Sequence, residues 1–211
     1  MLGDNSQGTG RNDVTASIVY MLQQGIRPAP SEMERRGQRF RNEGFVVFPE
    51  LLEPRSRNFL CRYALTKARQ QKEAGQAPDG LNNIVALYGD PVMEELLGRL
   101  VPVAEGICGG PVYPTYSYLR LYRFSETLPS HTDRESCEIT LSLNLGCIGA
   151  PMWPLWIETK DGIRKVDLDP GDGVLFRGIG QRHWLRGTWI FDILQQLPRF
   201  DLRIIKYFLK A

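Results

Sequence analysis

A chain of 211 residues is the length of a single domain, and 42% hydrophobic with 24% charged residues excludes a disordered, collagenous or coiled-coil polymer. The 26 Lys and Arg against 24 Asp and Glu leave a formal charge of +2, too weak a field to gather phosphate backbones, so no nucleic-acid partner is expected. Cys61, Cys108, Cys137 and Cys147 form no CxxC pair, which excludes a zinc ribbon or thioredoxin-like motif and fits a reducing compartment. No apolar run reaches the roughly 18 residues of a membrane span. Residues 1–14 read as a polar arm without the pattern of a secretory signal, ahead of one domain at 15–211, and the expectation is a soluble cytoplasmic protein.

The first part of that domain, to about residue 110, reads as helical. Ser31 and Glu34 stand at capping-box spacing, predicting a helix from about Glu32 to Asn42 that Gly44 stops. Phe45 to Phe48 reads as a short strand apolar on both faces and closed by Pro49. A second helix is expected from Pro54 to about Ala74, where GQAPDG breaks it. A third begins at Asp90-Pro91, carries Val92, Leu96, Leu97 and Leu100 as its apolar stripe, and ends at Cys108-Gly109-Gly110.

From Tyr116 the period becomes two. Tyr116, Tyr118, Arg120 and Tyr122 fall on one face of a strand, with Ser117, Leu119 and Leu121 on the other. Glu138 to Leu145 alternates again, with Ile139, Leu141, Leu143 and Leu145 on one side. Shorter strands are expected at Leu155 to Thr159, Lys165 to Leu168, Val174 to Phe176, around His183 and at Leu202 to Leu209, with a tight turn at Asp169-Pro170-Gly171-Asp172. The fold class is therefore α+β, with N-terminal helices packed on an antiparallel β-core (about 111–211) of sandwich or barrel form.

His131 and His183 are the only histidines. Asp133 follows His131 by two positions, and residues i and i+2 of an extended segment share a face, so the imidazole and carboxylate are placed to hold one ion. His183 lies fifty residues beyond Asp133, enough for several strands to return the chain alongside. Two His and one carboxylate on one face suit a non-haem Fe(II) site. The plainer reading is that a strand histidine is only hydrogen-bonded, since an HxD triplet also arises by chance.

The stretches SYLRLYRFSETLPSHTDRESCEITLSLNL and LDPGDGVLFRGIGQRHW resemble the Fe(II)/2-oxoglutarate-dependent dioxygenases, and EGFVVFPELLEP resembles the prolyl-hydroxylase-like and phytanoyl-hydroxylase-like branches. The resemblance implies a double-stranded β-helix of jelly-roll, cupin-like type, with His131, Asp133 and His183 as iron ligands and catalytic centre. It implies that 2-oxoglutarate chelates the iron, that dioxygen is consumed, and that a small-molecule or peptidyl substrate is hydroxylated with release of succinate and CO2. Related halogenases replace the carboxylate with a small residue, so Asp133 argues for hydroxylation.

The family holds the distal carboxylate of 2-oxoglutarate with a basic residue, most often about ten positions after the second histidine. Here Arg186 is three positions beyond His183, Arg199 sixteen, Arg203 twenty and Lys206 twenty-three. Arg186 is the first choice and Lys206 the second, while Arg203 and Lys206 cannot share a face of one strand. Arg120 and Arg123 are further candidates, with Tyr118 and Tyr122 as hydroxyl donors to the cosubstrate or simply core aromatics. Trp153 and Arg134 are candidates for the substrate pocket, Trp156 for the core, and Trp184 for the side away from the metal. Between Gly187 and Pro198 an apolar segment is expected to form a lid or plug. Two rival readings are a zinc or manganese cupin-like hydrolase with Glu135 or Glu138 as base, and an inactive barrel acting as a binding module.

Overall fold

The computed structural model describes residues 30–74, 86–123, 127–148, 153–186 and 200–210; the polar arm, the GQAPDG break and the segment from Gly187 to Pro198 lie outside them. Three helices, α1 (Pro30–Glu43), α2 (Pro54–Glu73) and α3 (Pro91–Cys108), are described in the first half. Ten strands are described: β1 (Phe45–Phe48), β2 (Ala86–Tyr88), β3 (Val112–Arg123), β4 (Leu128–His131), β5 (Ile139–Ile148), β6 (Leu155–Thr159), β7 (Gly162–Val166), β8 (Gly173–Arg177), β9 (His183–Leu185) and β10 (Phe200–Lys210). No helix among the described residues is long and apolar enough to cross a membrane.

Local chemistry sets the helix limits. Pro91 opens α3, where a missing N–H costs nothing, and the Asp90 carboxylate accepts from the amides of Val92 and Met93 at 3.0 and 3.4 Å. Tyr63 on α2 donates its hydroxyl to the same carboxylate at 2.9 Å, so the cap also joins two helices. Gly109 ends α3 at φ 74°, and Gly44 ends α1 at φ 80° with the Gln181 side chain packed where a Cβ would stand.

All strand pairings are antiparallel. A six-stranded sheet has the order β1-β8-β5-β10-β3-β2, and a four-stranded sheet the order β4-β9-β6-β7. From β3 onward the chain passes between them: β3, β5, β8 and β10 lie in the large sheet, β4, β6, β7 and β9 in the small one. Leu119, Leu121, Leu141, Leu143 and Leu175 cover the helix side of the large sheet in one core with Leu60 and Ala64 of α2 and Leu96, Leu97, Leu100 and Ile107 of α3, α2 lying against β5 and α3 against β3. A second core lies between the sheets, where Phe45, Val174 and Phe176 meet Leu155, Ile157 and Leu185. This leaves the polar half of β5, Thr140, Ser142 and Asn144, buried toward the small sheet.

Several elements depart from the sequence reading. β2 and β4 are strands of three and four residues, too short to show a period. β3 begins at Val112, ahead of Tyr116, because Val112 is buried in the helix-side core. β7 spans Gly162–Val166 and not 165–168: Thr159 donates its hydroxyl to the Gly162 carbonyl at 2.7 Å, and Gly162 at φ 108° starts the return strand at once. Trp156 is outside the core, half-buried and stacked on Trp184 at 6.4 Å across β6 and β9, which puts Trp184 on the outer side as expected.

Asp90→Ala removes the α3 cap and the partner of Tyr63. Urea denaturation is expected to show a loss of about 1–2 kcal/mol, with Asp90→Asn retaining most of the stability.

Candidate metal centre

β4 ends at His131, β9 begins at His183, and the two are direct partners in the ladder. On β9, His183 and Leu185 face the inner core while Trp184 faces out. On β4, Leu128 pairs with Leu185 and His131 with His183, so three steps on one strand match two on the other. That extra residue is a bulge, and without it Leu128 and His131 would point to opposite faces. Arg182 fixes the pairing by donating to the carbonyl and hydroxyl of Ser130 at 2.9 and 3.2 Å.

The ring centroids of His131 and His183 lie 4.3 Å apart. Asp133 joins them from the segment after β4, its amide donating to the Gly178 carbonyl at 2.9 Å. Its Oδ1 stands 3.7 Å from Nε2 of each histidine, and one ligand atom from each of the three residues falls within 4.8 Å of the others. Thr132 is exposed on the other side, as alternation requires.

Each Nδ1 faces a backbone carbonyl, Pro129 at 2.8 Å for His131 and Gln181 at 3.0 Å for His183. A carbonyl only accepts, so each Nδ1 carries a proton and each ring turns its Nε2 toward Asp133. Burial lowers the pKa of His183 and favours its neutral form, against the charge of Asp133 and the bond to Gln181, with His131 adding to the lowering. Two ring nitrogens and one carboxylate oxygen thus converge. That donor set fits a cation.

The side chain of Asp133 is only 4% exposed, and its other oxygen, Oδ2, accepts the Thr140 hydroxyl at 2.5 Å. Gly178 passes beneath: a Cβ there would stand 2.5 Å from both Oδ2 of Asp133 and Oγ1 of Thr140. Gln181 is buried and donates to the carbonyls of Glu43 and Glu158, which ties α1 and β6 to the turn leading into His183. Phe176 meets the His183 ring edge-on at 4.6 Å. Sequence reading did not single out Thr140, Gly178 or Gln181. The one signal available was that β5 is polar on the face opposite its leucines.

The remaining candidates are dispersed. Tyr118 and Tyr122 share the inner face of β3 with Arg120, as expected, and the Arg120 guanidinium lies 4.6 Å above the Tyr122 ring. Arg120 is half-buried, its Nε is buried without a hydrogen-bond partner, and among the described residues it makes no ion pair. Arg186 is exposed, one position past β9. In the β10 ladder, position 203 stands opposite Arg120 and Asn144, and position 206 opposite Ser117 and Leu141. Trp153 is buried between the sheets, 6.2 Å from Tyr122, while Arg134 and Glu135 are exposed and Glu138 half-buried.

No protein-family profile and no curated protein sequence matches the chain. Solved structures do. The non-haem α-ketoglutarate-dependent epimerase SnoN from nogalamycin biosynthesis, in complex with Fe3+, α-ketoglutarate and nogalamycin RO, gives a TM-score of 0.62 at 15% identity, covering 87% of this chain and 85% of its own. A Pseudomonas putida prolyl-4-hydroxylase gives 0.60 at 15% identity, covering 85% and 99%. A Burkholderia pseudomallei oxidoreductase of the 2OG-Fe(II) oxygenase family gives 0.61 at 12% identity, covering 88% and 94%. The chain has the fold of the Fe(II)/2-oxoglutarate-dependent oxygenases.

Gly178→Ala would drive a methyl group against the Asp133 carboxylate and the Thr140 hydroxyl. The expected result is a stability loss of about 1–3 kcal/mol in chemical denaturation, as for an overpacked core, and an unchanged midpoint would show that this turn yields freely.

Proposed function

We propose that the protein is an Fe(II)- and 2-oxoglutarate-dependent oxygenase that hydroxylates an unactivated C–H bond of a small-molecule or peptidyl substrate. The carrying observation is the convergence of two Nε2 atoms and one carboxylate oxygen from His131, Asp133 and His183. The exchange of strands between two facing sheets supports reading the core as a double-stranded β-helix.

In this reading Nε2 of His131 and of His183 and Oδ1 of Asp133 hold the iron. When bound, the iron supplies the redox chemistry that couples oxidative decarboxylation of 2-oxoglutarate to substrate oxidation. Balanced overall, substrate, dioxygen and 2-oxoglutarate would give the alcohol, succinate and CO2. Bonds at Nδ1 keep each imidazole in the binding tautomer. Phe176 and Leu185, both buried, keep bulk water from the inner side of His183.

For the distal carboxylate of the cosubstrate, Arg120 is favoured over Arg186. A partly buried guanidinium with an orphaned Nε and no ion-pair partner among the described residues suits an anion, whereas an exposed one is already served by water. Position 203 stands opposite Arg120 in the ladder. Tyr118 and Tyr122 share this face and are offered as hydroxyl donors beside it. Lys206 occupies the row of Ser117 and Leu141.

Anaerobic addition of Fe(II) and 2-oxoglutarate should produce a weak visible charge-transfer band that His183→Ala abolishes. Wild-type protein without such a band would overturn the assignment, because neither a zinc hydrolase nor a binding module generates one. Substrate-stimulated succinate release across free amino acids, peptides and small acids then identifies the substrate class.

Arg120→Ala should raise the apparent 2-oxoglutarate requirement about tenfold or more, since removing one partner of a buried charge pair costs about 3–5 kcal/mol. The same rise in Arg186→Ala or Lys206→Ala, with Arg120→Ala unaffected, would move the anchor to that residue.

A further inference from the structure

We infer that Thr140 is a positioning residue for the metal site: its hydroxyl holds Oδ2 of Asp133 so that Oδ1 alone is presented to the ion. The inference rests on the metal-binding reading above and assigns a role to a residue outside the ligand triad.

Thr140 is fully buried on the inner row of β5, and its alternate neighbours Ile139 and Leu141 are locked into the helix-side core. The threonine therefore cannot turn away without unpacking the strand. Its Oγ1 lies 2.5 Å from Oδ2, the separation of a charge-assisted O–H···O⁻ bond. The carboxylate accepts, so the hydroxyl proton points at Asp133. On the opposite side Oδ1 stands 3.7 Å from both Nε2 atoms.

The two oxygens are thus divided between two tasks. The backbone holds Asp133 in place, because its amide is tied to the Gly178 carbonyl and Gly178 lies so close to Oδ2 that even a Cβ there would collide with it. A carboxylate bound through one oxygen spends one coordination position, and one free to rotate can spend two. Holding Oδ2 leaves the positions that a chelating cosubstrate and dioxygen require.

The test uses cobalt(II) as the probe with the full chain. Calorimetric affinity and the visible d–d spectrum are read for wild type, Thr140→Val, Thr140→Ala and Thr140→Ser. Loss of the hydroxyl should weaken cobalt binding about 10- to 100-fold, the usual effect of removing a group that orients a ligand, and should change the d–d spectrum. Thr140→Ser should stay within about threefold of wild type with an unchanged spectrum. Thr140→Ala, which opens space for water, repeats the test if the valine variant does not fold.

Wild-type affinity and spectrum in a folded hydroxyl-free variant would overturn the inference. So would a serine variant as impaired as the valine one, since the methyl group would then be the part that matters. If wild-type protein takes up no cobalt, the metal-binding reading fails and this inference with it. Cobalt uptake by wild type with no effect of the hydroxyl overturns the positioning role alone.

Discussion

A carboxylate removed from water must find its charge answered inside the protein, and the core between the two sheets is arranged around that requirement at Asp133. Its amide, its two oxygens and its neighbours are each assigned: Gly178 takes the N–H, Thr140 satisfies one oxygen, and the other faces two imidazoles. Nδ1 of each imidazole is committed to a carbonyl, that of Pro129 or Gln181, so Nε2 is the atom each ring turns toward Asp133. A cation completes the arrangement with the least rearrangement. The helices contribute indirectly, since α2 packs against β5 and buries its leucines on the helix side, which leaves Thr140 pointing inward.

The amphipathic α3, the alternation of β3 and β5, and the His131–Asp133 face were legible because each depends on residues near one another in the chain. The pairing of His131 with His183 depends on a bulge in a four-residue strand, which leaves no periodic trace. Arg186 attracts attention by its nearness to His183 along the chain, whereas the ladder brings Arg120 and position 203 together from strands far apart in sequence. Thr140 and Gly178 are ordinary residues in a sequence. They become informative only when Oδ2 of Asp133 is found between them.

Trp153 shows the same limit in reverse. Flanked by Met152 and Pro154, it reads as a loop residue open to a ligand, yet it is among the larger fully packed side chains, between the sheets and near Tyr122. An indole placed there contributes burial energy to the core between the sheets. The resemblance to solved oxygenases at 12–16% identity has the same origin: a two-sheet frame tolerates exchange of most apolar residues so long as alternation and volume are kept.

The direct pairing of His131 with His183 has a thermodynamic corollary. An ion held by both histidines and by Asp133 would tie together two strands separated by most of the β-core, acting on the folded chain as a removable cross-link. Folding and metal availability then become linked equilibria: at a free metal concentration a hundredfold above the dissociation constant, the folded state gains about 2.7 kcal/mol. The same ion would therefore set how much of the protein stays folded where that metal is scarce, and metal supply would govern its abundance.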